Sequence, residues 1–142
     1  MEISSLPWIK GAIVTVGGIL VWVFGPWDTL IAVLLGFVVL DYIMGVIKAA
    51  ALKELSSRVG SKGLAKKVGI FAMVAVAAML DRVAPMNGAI RAAVAIFYIA
   101  NEGLSILENA GALGLPMPDK LREALAQLRD KSVEKTKDIG VK

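Results

Sequence analysis

The residues able to do chemistry are few, and they sit where charge is expensive. Asp41 lies in LDYIMGVIKAA, near the end of a long apolar run, and Lys48 follows seven residues later. A second apolar run is punctuated by Arg91, Tyr98, Asn101, Glu102, Ser105, Glu108 and Asn109. The chain has no His and no Cys, which removes imidazole acid–base chemistry, thiolate nucleophiles, disulfides and thiolate metal sites. No nucleophile–base pair or metal-ligand spacing remains, so no enzyme, metal site or cofactor is expected. What these side chains can do is hold charge, pair with one another and meet water, as ionisable groups at membrane depth do.

The elements that must position them are apolar. Of 142 residues, 57% are hydrophobic, and the mean hydropathy is +0.71. A soluble domain of this size leaves too much surface exposed to hide such a composition. The expected fold is an all-α integral membrane protein with about four transmembrane helices and a short amphipathic, partly disordered cytoplasmic C-terminal tail. The expected spans are 9–24, 29–47, 68–82 and 89–110, with a basic cytoplasmic loop over 48–67. Residues 1–116 then form the membrane domain and 117–142 a charged tail.

Trp8, Trp22 and Trp27 flank the first span, as an interfacial aromatic belt requires. GPWD at Gly25–Asp28 and DRVAPMNG at Asp81–Gly88 read as turns, and GLPMP at Gly114–Pro118 ends the fourth segment. The third apolar run, Val68–Leu80, has 13 residues, only ~20 Å of helix. It borrows length from Lys66 and Lys67 snorkelling at one end and from Asp81 and Arg82 at the other. The alternative has three spans, with the third or fourth segment lying at the interface. In the tail, Leu121, Leu125 and Leu128 have helical spacing, and the last ten residues are expected to be disordered.

The 48–67 connector carries six cations against Glu54 alone. The positive-inside rule keeps it cytoplasmic, and with four spans both termini are cytoplasmic too. The same cations attract anionic lipid head groups. Nucleic acid is not an expected partner, since the loop has no aromatic residue on which bases could stack.

At ~100° per residue, Arg91, Tyr98, Glu102, Ser105 and Asn109 fall within ~60° of one another, and Asn101 and Glu108 widen the arc to ~120°. Three readings fit this face: the lining of a water-filled pore built from several copies, an amphipathic helix on the membrane surface, or an internal packing face neutralised by neighbours. Asp41, Lys48, Lys66 and Lys67 read as polar groups at the membrane edge. Asp41 is ~10 Å from Lys48 along the helix, so its partner is Lys66, Lys67 or a neighbouring subunit. Gly45 with Ala49, and Gly88 with Ala92, have the small-xxx-small spacing that permits close helix packing.

Three segments in order, LDYIMGVIKAA, LSSRVGSKGLAKKVG and NEGLSILENAGALGLPMP, resemble the phage-lysis and toxin-release holins, including Gram-positive prophage holins and clostridial toxin-release holin-like proteins. The resemblance covers about Leu30–Leu128. The matching positions are Asp41, Tyr42, Gly45 and Lys48; Ser56, Ser57, Gly60, Gly63 and Lys67; and Glu102, Ser105, Glu108, Asn109, Gly114 and Pro118. It implies a homo-oligomer in the bacterial cytoplasmic membrane that opens lesions for a murein hydrolase or an exported toxin. The competing readings are a small oligomeric ion channel or transporter, and an antiholin-type membrane regulator.

Overall fold

The computed structural model describes residues 7–139; the first residues of the membrane domain, 1–6, and the end of the tail, 140–142, lie outside the described residues. Five helices follow in order: α1 (Pro7–Phe24), α2 (Thr29–Ala51), α3 (Ser57–Val83), α4 (Ala89–Ala112) and α5 (Asp119–Asp138). Among the described residues, four helices are long and apolar enough to cross a membrane: α1, α2, Gly60–Val83 of α3, and α4.

The third span is therefore longer than its apolar run suggests. α2 continues through Lys48 to Ala51, and α3 starts at Ser57, so most of the expected 48–67 loop is helix. Lys, Arg and Ala are good helix formers, and a charge-averse hydropathy pattern reads them as a break. Lys53, at φ 58°, marks the actual turn. The tail differs in the same direction, because α5 runs on through the expected disordered stretch to Asp138.

α4 is the hub, packing against α2, α3 and α5, whereas α1 lies along α3 and meets α4 only at its last residue, Phe24. Ile31, Leu34 and Val38 of α2 meet Ile70 and Val74 of α3 and Ala95 and Ile99 of α4 in one apolar cluster. Each contributor repeats at three- or four-residue spacing, the stripe that one helix face presents. No α1 residue is buried, and Trp8, Trp22 and Trp27 are all exposed, as side chains destined for a lipid interface must be.

The two short turns at one end are fixed by carboxylates. Asp28 caps α2, its Oδ1 accepting from the Ile31 N–H at 3.1 Å. Asp81, on α3, caps α4 from outside that helix by accepting from the N–H groups of Ile90 (3.1 Å) and Arg91 (2.8 Å). This replaces the cap that Gly88 cannot give, since the first N–H groups of a helix lack partners within it. Gly88 is thus a turn residue with φ 80°, and a Cβ there would meet nothing within 4 Å. Of the expected helix-packing pair Gly88 and Ala92, Gly88 lies in this left-handed turn just before α4. Gly45 does face a neighbour, with the Asn109 amide 3.9 Å from where its Cβ would lie, and Ala49 is buried.

Candidate functional site

The apolar stripes that build the core continue directly into charge. On α2 the buried series Ile31, Leu34, Val38 is followed at the next position by Asp41; on α3 Lys67 precedes Ile70 and Val74; on α4 Glu102 and Asn109 follow Ala95 and Ile99. The three helices that make the core therefore bring these four side chains together one turn beyond it. The Lys67 ammonium donates to both the Asp41 and the Glu102 carboxylates. Asn109 Nδ2 donates to the other Asp41 oxygen at 3.1 Å. Glu102 is 2% exposed, and Asp41 and Lys67 are each 7% exposed, so each charge survives burial only because its partners are in place.

Asp41 is the thirteenth residue of the 23-residue α2, and Lys67 turns into the bundle. Of the two lysines open to Asp41 on sequence grounds, Lys67 is the partner, while Lys66 is exposed. The Lys67–Glu102 pair was not visible in the sequence. It joins residues 35 apart on separate helices, and only the shared stripe position signals it.

A cavity of about 310 Å³ opens beside this cluster. It is lined by Asp41, Tyr42, Gly45 and Lys48, by Gly60, Gly63, Lys66 and Lys67, and by Asn109. The three sequence segments that carry the family resemblance thus converge on one place. Tyr42 packs over Gly60 and Gly63, its ring and hydroxyl 3.7 Å from where their Cβ atoms would lie.

The polar face of α4 divides into two sets. Arg91, Glu102 and Asn109 are buried against other elements, so for them the internal-packing arrangement is the one observed. Arg91 reaches the α1–α2 turn, donating to the carbonyls of Phe24 (2.6 Å) and Pro26 (2.7 Å) and to Asp28 (2.8 Å). That guanidinium holds the Asp28 carboxyl below the usual carboxylate range. Asp28 was missed as a partner from sequence. The available signal was its position in one short turn while Arg91 lies at the start of the helix after the other. The second set, Tyr98, Asn101, Ser105 and Glu108, faces a separate cavity of about 350 Å³ together with Lys66 and Arg129. Among the described residues, no group of acidic side chains is placed to hold a metal ion, and no buried side-chain N or O atom lacks a hydrogen-bond partner.

Over residues 18–130 the sequence matches the profile of the bacteriophage holin family. A Clostridium perfringens protein, described as an uncharacterized 14.9 kDa protein in the nagH 3' region, is 49% identical over 130 residues, covering 90% of this chain and 98% of that protein. An uncharacterized Listeria monocytogenes protein is 40% identical over 126 residues, covering 89% of this chain and 90% of its own. A probable holin of Bacillus phage phi105 is 40% identical over 98 residues, covering 69% of this chain and 73% of the phage protein. No solved structure matches.

Proposed function

Because the chain belongs to the bacteriophage holin family, we propose that it is a holin that self-associates in the bacterial cytoplasmic membrane and opens lesions through which a murein hydrolase or a signal-less toxin crosses. Membership in the family, together with four membrane-length apolar helices, makes this a membrane protein and points away from catalysis. The observation that carries the holin reading is the family match over 18–130, which spans the ion cluster, the Tyr42 cavity and the α4 polar flank.

In this reading the Asp41–Lys67–Glu102–Asn109 cluster holds α2, α3 and α4 together before and after assembly. Water in the lesion meets the set that the bundle leaves over, Tyr98, Asn101, Ser105 and Glu108. Both termini and the basic α2–α3 connection stay cytoplasmic, by the positive-inside rule. Glu108, exposed on that flank, separates folding from lesion formation: Glu108→Leu accumulates in membranes like the wild type but delays lysis.

The test is inducible expression in bacteria with and without a co-expressed murein hydrolase that lacks a signal sequence. A holin gives sudden, hydrolase-dependent lysis after a delay. Ion leakage with no passage of the hydrolase would replace this reading with a channel, and unchanged growth would replace it with a regulator.

A further inference from the structure

α5 lies back along α4 over most of its length. A Cβ at Gly103 would stand 2.9 Å from the Leu125 side chain of α5 and 3.0 Å from Phe37 of α2, so this glycine allows close approach; one at Gly111 would stand 3.0 Å from Met117, in the connection before α5. Further along, Ser132 and Thr136 of α5 share a cavity of about 330 Å³ with Val94 and Phe97 of α4. Val94 is 18 residues from the end of α4 at Ala112, ~27 Å of helix, nearly the whole ~30 Å hydrocarbon core. The outer side of α5 carries Asp130, Lys131, Glu134 and Lys135, all exposed. With α4 across a bilayer, these charges would project into lipid, which cannot solvate them.

The contact is as extensive as that between α2 and α4, but it is made by packing alone. Among the described residues, no hydrogen bond or ion pair joins α5 to α4. The Ser132 and Thr136 hydroxyls bond back to their own helix, at the carbonyls of Arg129 and Ser132. Leu121, Leu128 and Val133 stay exposed, so α5 does not use its apolar residues fully in this position.

We infer that α5 is a displaceable cover on α4, and that a second copy of this chain takes its place in the membrane. This rests on the reading of the chain as a self-associating membrane protein. The seated α5 demonstrates that this side of α4 accepts a helix, and Gly103 gives it a small-residue floor for close approach, with Gly111 beside the connection. α2 and α3 are already committed to α4 through Glu102 and Asn109, and α1 packs along α3, so the incoming helix belongs to another chain. The α4 of another copy presents the same glycines at the same depth. The adjoining Asn101, Ser105 and Glu108, which hydrocarbon cannot solvate, then lie at the edge of the contact.

The natural chain has no cysteine, so Gly103→Cys with Leu125→Cys introduces a single thiol pair. The full-length double variant is oxidised in detergent, placed in vesicles, and read for lysine cross-links between copies and for release of an enclosed protein. Oxidation should abolish both signals, and reductant should restore both. Cross-linking or release by the oxidised protein would overturn the inference, as would failure of the disulfide to form or absence of cross-links after reduction. Cross-links without release after reduction would uphold the cover and count against the holin reading instead. Reversal by reductant in one sample separates locking from misfolding.

Discussion

On one side α4 is tied to its neighbours by charge, and on another it is held by packing alone. Toward α2 and α3, Glu102 and Asn109 enter a buried network with Lys67 and Asp41, and Arg91 anchors the far end to the α1–α2 turn. Toward α5 there is Leu125 against Gly103, a cavity of about 330 Å³, and hydroxyls that bond only to their own helix. The difference teaches which parts move together. Breaking a buried pair leaves a stranded charge, which costs ~3–5 kcal/mol, so α2, α3 and α4 behave as a unit. Nothing comparable resists the departure of α5.

The most damaging way to probe this contrast is Lys67→Met, which strands two buried carboxylates. It should prevent accumulation in the membrane, measured by immunoblot of washed membranes. Adding Asp41→Asn and Glu102→Gln should recover part of it, because neutral amides no longer demand a cation. Normal accumulation of Lys67→Met would break the claim that this side is held by charge. Arg91→Met should cost less, about 1–3 kcal/mol from carbonyls left without a donor, read as a lower melting midpoint in detergent. Leu125→Ala acts on the other side. It should speed protease cutting within α5 while leaving the bundle's melting midpoint unchanged, and a drop in that midpoint would show that α5 belongs to the cooperative unit.

The smallest effect concerns pH at the α1–α2 turn. Arg91 lowers the Asp28 pKa in the folded state, so the stabilisation is fully present above the unfolded value of ~3.9. It is lost as pH falls through the lower folded value. The melting difference between wild type and Asp28→Asn should stay constant above that range and shrink below it, and a difference that grows on acidification would reverse the assignment.

Much of this was readable from residue order. The apolar runs located four helices, and the distance from Asp41 to Lys48 left Lys66 or Lys67 as partners within the chain. The arc on α4 identified its polar residues as a set. The division of that set was not readable. Whether Glu102 faces Lys67 or solvent depends on how α3 is rotated against α4, and the 3.6-residue period of one helix says nothing of its neighbour's rotation. Asp81 capping α4 was hidden similarly, since a carboxylate ending one helix gives no sign of serving the next. The length of α3 was obscured because hydropathy counts lysines against a span, whereas the backbone accepts them readily in a helix.

The central claim is that this family member opens lesions wide enough for a folded protein. The direct measurement encloses a small dye and a murein hydrolase in the same vesicles, adds the purified full-length protein at rising density, and follows both. The account predicts that dye and hydrolase leave together from each vesicle that opens, above a threshold density. Dye release with the hydrolase retained at every density would contradict it.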